Sequence, residues 1–460
     1  MTLVAIKSCG LGGTFTAVSK ISPSVWKRIS KNSSVNILIS FKESDLESIR
    51  GSITSQSFAT RTQRIQALYN SLKTHADSTQ AQVLKALEGS KARKNSIQIN
   101  QLWITNQISV NGADLTLLQE LDKFSEISTI EKEQIIPSVQ PAELEVVPKD
   151  QIQEGEQWGV EAIEAPEVWQ SGIRGAGAVI AIVATGVRGT HEALRDGYRQ
   201  QNGWYDPIVK TDSPNDDIGV GTHLAGVIAG RVNGIGVAPE AKWIACKGCG
   251  TFTCSTSDLL ACGQWALCPT DSRGSDARCD LAPSAVTNAW GAQSDFYEEV
   301  LKTLEVAGIA SLFAPGGSGP ACGTIGSPGD SVRSITVTSV AVDNKVAGNA
   351  GAGPTEAGNI KPDLSAPGVK ILSAYHTSDN DYASLTGTSM AVPHVSGVIA
   401  LLRSKQPEAS LEKIKEALFK GAQPTVPTGQ NCGGIDESIY PNNHAGHGVV
   451  NARASAALLS

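Results

Sequence analysis

Ser389 stands near the head of a mostly small, apolar run in the stretch SLTGTSMAVPHVSGVIALL, residues 384–402. The spacing predicts a helix that begins at Thr388 or Ser389, with Pro393 in its first turn, where a missing N–H costs nothing. A helix N-terminus favours developing negative charge, so this is a suitable seat for a nucleophile. A serine hydroxyl is inert near neutral pH unless a base stands beside it. Without one, Ser389 reads as a helix cap.

The cysteines are the second group that could do chemistry. Seven of nine fall between Cys246 and Cys322: Cys246, Cys249, Cys254, Cys262, Cys268, Cys279 and Cys322. The others are Cys9 and Cys432. Cys246-x-x-Cys249 has the spacing of a zinc half-site, but no second pair follows and no histidine lies within the cluster. Disulfides are therefore the reading, with Cys432 as a partner from farther along, Cys9 left over and no metal site assigned. Disulfides imply an oxidising, extracellular setting, although the N-terminus shows no apolar signal segment of usual length. Asn32-Ser33-Ser34 is a glycosylation sequon.

Composition narrows the rest. The chain has 460 residues, 40% of them hydrophobic, with a net charge of −7. No basic face points to nucleic acid. The longest apolar runs, such as 178–183, are too short to span a bilayer. The glycines of 175–179 precede their strand and lack a third in place, so they do not make a dinucleotide loop, and no cofactor is expected.

The elements that must position Ser389 follow from periodicity. Residues 1–34 are a leader without period. Residues 35–136 read as a small α+β unit, with strands at 35–41 and 127–136, one or two strands over 97–110, and helices at 60–75, 79–92 and 115–124. Residues 137–157 are polar, bear proline and have no period, which marks a linker. From Trp158 short β-branched runs (178–184, 241–247, 284–290, 310–316, 334–340, 369–375) alternate with helical stretches. This pattern predicts a mostly parallel sheet with helices on both faces, and ligands at the carboxyl ends of its strands.

Five segments, in order, resemble the subtilisin family of serine peptidases: GTHLAGVIAG (221–230), NGIGVAPEAKWIACK (233–247), KPDLSAPG (361–368), GTSMAVPHVSGVIALL (387–402) and GHGVVNARAS (446–455). The wording around Trp243, Cys246 and Cys249 is nearest to secreted, bacillopeptidase-F-like members. The resemblance implies a three-layer α/β/α domain over 158–460. It also implies that 35–136 is a propeptide and inhibitor whose tail lies in the active-site cleft. The family uses an Asp–His–Ser triad and an oxyanion asparagine. Matching motif to motif places Ser on Ser389, but Ala184 at the Asp position, Val220 at the His position and Gly317 at the Asn position. His223 matches the family's structural histidine.

No other base is evident. His191 reads as a surface residue. His394 projects about 140° around the helix from Ser389 at roughly 100° per residue. Asp216 and Asp217 precede the empty His position. The leading expectation is a non-catalytic homologue that binds extended peptide or protein segments along backbone edges near Asn288, Trp290, Gly291, Ala314 and Gly316, with its own propeptide-like domain as a partner in cis. The alternative is an active secreted endopeptidase that uses Ser389 with a non-standard base. A copy with no selected role is a third reading.

Overall fold

The computed structural model describes residues 19–42, 44–93, 97–152 and 155–459. Cys9 and the leader as far as residue 18 lie outside the described residues. In chain order the first elements are α1 (Pro23–Ile29), β1 (Val35–Phe41), α2 (Leu46–Thr54), α3 (Arg61–Arg93), β2 (Gln98–Leu102), β3 (Gln107–Ala113), α4 (Leu115–Leu121) and β4 (Ile127–Lys132). The stretch that reads as an aperiodic linker contributes the end of β5 (Ile135–Pro137) and all of β6 (Glu143–Val147). Then come α5 (Trp158–Ala162), α6 (Ala165–Trp169), β7 (Val179–Ala184), β8 (Trp204–Tyr205), α7 (Val220–Ala229), β9 (Lys242–Lys247), β10 (Thr253–Ser255) and α8 (Thr256–Leu267). The remainder is β11 (Ala285–Asn288), α9 (Glu298–Val306), β12 (Ala310–Phe313), β13 (Ile335–Val340), β14 (Leu364–Pro367), β15 (Ile371–Ala374), β16 (Tyr382–Thr386), α10 (Thr388–Lys405), α11 (Leu411–Gly421), a short hairpin of β17 (Asn431–Cys432) and β18 (Ile435–Asp436), and α12 (Ala452–Leu458).

The chain forms two compact units. One comprises residues up to 43, 79–100 and 108–132; the other comprises 44–78, 101–107 and 133–460. The first carries a four-stranded sheet in the order β2-β3-β1-β4. Alternate residues of β1, Val35, Ile37, Ile39 and Phe41, are buried in its core, as the period-2 pattern requires. The helices read at 60–75 and 79–92 are one helix, α3. The polar residues between them break the apolar period, but with no Gly or Pro nothing stops the helix. α1 lies in the leader, where no period announced it.

The unit boundary departs from the 35–136 division because ties from 44–78 reach distant residues. Arg50, nearly fully buried, pairs with Glu299 at 2.6 Å and donates to Thr303 Oγ1. The Arg61 guanidinium donates to the carbonyls of Ala307 and Pro283.

The second unit is built on a parallel sheet in the order β14-β13-β12-β11-β7-β9-β8. α7 and α10 pack together and against its strands, and α8 and α9 do likewise. Ile180, Ile182 and Ala184 of β7 share a core with Leu224 and Val227 of α7 and Val395 and Ile399 of α10. The intervening Ala181 and Val183 are equally buried, which is why β7 reads as a continuous apolar run. This is the expected three-layer α/β/α arrangement. One predicted strand does not join it: residues 371–374 form β15, which sits in an antiparallel ribbon ordered β15-β16-β6.

Eight cysteines pair as Cys246–Cys262, Cys249–Cys254, Cys268–Cys279 and Cys322–Cys432. Cys246 and Cys249 go to different partners, so the zinc half-site alternative falls.

Candidate active site and peptide groove

Ser389 is the second residue of α10 and is 6% exposed. The helix is capped by Gly387, so the capping role read for Ser389 does not hold. Pro393 lies inside the helix and not in its first turn. Its missing N–H leaves the Ser389 carbonyl without that helical partner. At the helix mouth the Ser389 N–H has no intrahelical acceptor and remains a donor. Among the described residues, nothing hydrogen-bonds Ser389 Oγ.

Ala184 ends β7, fully buried, and Val220 opens α7 at 2% exposure. The structure brings these two positions together. A Cβ on Gly221 would lie 3.3 Å from the Ala184 Cβ, and Gly221 N donates to Thr185 Oγ1 at 3.1 Å. Gly317 lies on the loop after β12, whose Gly316 carbonyl accepts from Thr388 Oγ1 at 3.3 Å. The loop therefore meets the mouth of α10. Gly317 is exposed, and a Cβ there would meet nothing within 4 Å.

The candidate bases are engaged elsewhere. Asp216 is buried and accepts from Thr185 Oγ1, Thr222 Oγ1 and the N–H groups of Ile218, Gly219 and Thr222. Asp217 pairs with Lys247 at 2.6 Å. His191, read as a surface residue, is fully buried. Its Nε2 meets the Asp381 carbonyl at 2.8 Å and its ring lies edge-on to Tyr382. His223 Nε2 donates to Ile371 O at 2.8 Å, as a structural histidine would. His394 Nδ1 donates to Met390 O at 3.0 Å, within its own helix.

Burial pushes the imidazole of His223 down to about 4 and that of His394 down to about 3. Both rings are neutral in the fold and protonate near 6.5 when unfolded. Above pH 6.5 they are neutral in both states and leave stability unchanged. Below it the unfolded chain takes up protons that the fold refuses. Each ring then lowers stability by about 1.4 kcal/mol per pH unit until its folded pKa is reached. The imidazole carbon-proton signals of both should stay constant from pH 8 to 5 in NMR spectra while the fold loses stability. A mid-range titration of either ring would contradict this.

The sequence reading missed His376. It is half-buried, and a Cβ on Gly219 would lie 2.6 Å from its Cδ2, so it stands beside the residue that precedes Val220. Gly219 has φ +101°, so glycine is required there on both counts. Among the described residues nothing hydrogen-bonds the His376 ring.

The expected binding residues divide. The Asn288 side chain is consumed by Val286 O, Leu312 O and Trp290 Nε1. Trp290 is buried against Phe296, Tyr297 and Phe313. Neither side chain is open to a ligand. Gly291 is exposed, while Ala314 and Gly316 are half-buried, so backbone remains accessible there.

Two strand edges carry a peptide that the chain itself supplies. β5 pairs antiparallel with β10, setting Ile136 against Cys254. The ladder extends through Ser138 N to Phe252 O at 2.9 Å and Thr256 N to Gln134 O at 3.1 Å. Ile136 is buried, whereas Ile135 and Pro137 are exposed. β6 pairs antiparallel with β16, which ends three residues before Ser389, and Ala142 N donates to Thr386 O at 2.8 Å. Residues 139–141 span the interval between the two edges. In the sequence, the apolar pair Ile135-Ile136 and the prolines 141 and 148 around β6 were the only signals.

Residues 175–448 match the Subtilase family. The chain is 32% identical to bacillopeptidase F of Bacillus subtilis (strain 168) over 94% of its own length but only 32% of that protein, so it spans about a third of that relative. It is 31% identical to subtilisin Savinase of Lederbergia lenta over 65% of this chain and 97% of the relative. With serine protease AprX of Bacillus subtilis (strain 168) it shares 30% identity over 64% of this chain and 70% of the relative. The fold, the order of its motifs and these matches agree: the chain belongs to the subtilase family of serine peptidases.

Proposed function

We propose that this chain is a non-catalytic subtilase homologue that binds extended peptide segments beside Ser389, with residues 134–147 filling that groove in cis. The observation that carries the reading is the pairing of one continuous segment with β10 and then with β16, the strand leading into Ser389. Binding of this kind uses main-chain groups and needs no triad. Proton abstraction does need one, and Ala184, Val220 and Gly317 supply neither carboxylate, imidazole nor amide. Residues 35–136 then act as a propeptide-like domain that stays attached, with 137–157 leading to the peptidase domain at 158–460. The four disulfides support an extracellular setting.

The test is a fluorophosphonate probe on the purified chain. No labelling of Ser389 above a Ser389→Ala control is expected over an hour, and the full-length chain should persist without self-cleavage. Stoichiometric labelling within minutes would overturn the reading. The alternative, an active endopeptidase with a non-standard base, draws on His376 alone. Labelling that His376→Ala abolishes would establish it.

A further inference from the structure

The β16 edge holds one strand of the chain itself. β6 lies on it in the register Glu143↔Thr386, Glu145↔Ser384 and Val147↔Tyr382. Glu143, Leu144, Glu145 and Val146 are all exposed, so this strand is held by its main chain and not by a core. Pro141 and Pro148 flank it; neither can donate to a ladder. Two side-chain contacts mark its ends. Thr386 Oγ1 donates to Glu143 Oε2 at 3.2 Å, and Lys149 Nζ reaches both oxygens of Glu192 at 2.8 and 2.9 Å.

Glu192 is fixed by groups outside the segment it receives. Its carboxylate accepts from the hydroxyl of Tyr382 at 2.9 Å, and its N–H donates to Asp379 O. Tyr382 and the neighbouring His191 are themselves fully buried. Across the ribbon β16 is already paired with β15. If β6 left, a five-residue strand edge would stand unpaired beside a positioned carboxylate, which is a template for another strand.

We infer that the β16 edge together with Glu192 is a peptide-binding exosite that continues the groove away from its β10 side. Its ligand is an extended segment of another protein that has four or five residues free of internal proline and a lysine or arginine two residues beyond them. Residues 143–149 hold the site in cis and must yield to such a ligand. The inference rests on the peptide-binding reading above but not on the loss of catalysis.

The experiment uses the full chain and a fluorescent peptide of residues 142–150. Glu145→Pro, at an exposed position paired with Ser384, removes a main-chain donor to β16 and should weaken the cis strand. Saturable binding to that variant is expected at least about tenfold tighter than to the parent, where the tethered strand competes at a millimolar effective concentration. Should the variant fail to fold by circular dichroism, Lys149→Glu weakens the same cis contact at its exposed end. Glu192→Gln keeps an acceptor for Tyr382 but removes the charge. It should cost two- to fivefold, as should Lys149→Met in the peptide, and the two together should cost no more than either alone.

No saturable binding up to roughly millimolar peptide, or additive losses from the two changes, would overturn the exosite. Parent dimers formed by exchange of 143–149 would assign the edge to a second copy and overturn it equally. A peptide of residues 133–140 on an Ile136→Asp chain probes the β10 side separately. If only that peptide binds, the exosite fails and the groove stands; if neither binds, both fail.

Discussion

Introducing Ala184→Asp, Val220→His and Gly317→Asn together is expected to restore peptide-bond hydrolysis at Ser389. The proposal that Ser389 lacks only these groups rests on what surrounds the three positions. Ala184 ends its strand beside the first turn of α7, and Thr185 and Asp216 tie the two elements together. Gly317 projects into open space, so an asparagine enters without a clash. The order of addition matters. Val220→His alone supplies a base whose tautomer and orientation nothing fixes, and little activity should result. Ala184→Asp alone buries an unpaired carboxylate and should cost roughly 3–5 kcal/mol of stability. Made together, the two pair, and the penalty falls.

For a subtilisin, a complete triad is worth about 10⁶ in turnover and the oxyanion amide roughly a further 10²–10³. The first bond cut should be the chain's own, between residues 138 and 142, because that segment already spans the two edges. Hydrolysis of an added chromogenic peptide should lag behind this self-cleavage. Ser389→Ala in the same background should abolish both. A triple variant that folds and melts normally yet stays inert would show that the groove has moved out of register with its motifs.

Removing the Cys322–Cys432 bridge by alanine at both positions is expected to be the most destabilising disulfide loss. The bridge closes 110 residues, against 5 for Cys249–Cys254. Loop-closure entropy then sets about 5 kcal/mol for the long bridge and about 2 kcal/mol for the short one. Urea or thermal unfolding of the two double variants should reproduce that order. If the short bridge matters more, the contribution is local strain or packing around β10 and not chain entropy.

Local pattern carried much of what the fold became. β7 and β9 are runs whose burial on both faces leaves a continuous apolar signature, and each was legible for that reason. The expected positions Ser389, Ala184, Val220 and Gly317 came from motif flanks, a local signal that needs no coordinates. Periodicity could not reveal contacts made between distant main-chain groups. β6 is exposed along most of its length, so its sequence bears no mark of the partner that holds it. β15 has the composition of a central strand but pairs as a hairpin, because partner choice depends on the turn that returns to β16. His191 sits among polar residues and reads as exposed. It is buried because the turn between β15 and β16 covers it, placing the Asp381 carbonyl on its ring. The count and clustering of the cysteines predicted bridges, but which thiols meet was decided only when β9, α8 and the loops after β12 and α11 were packed in space.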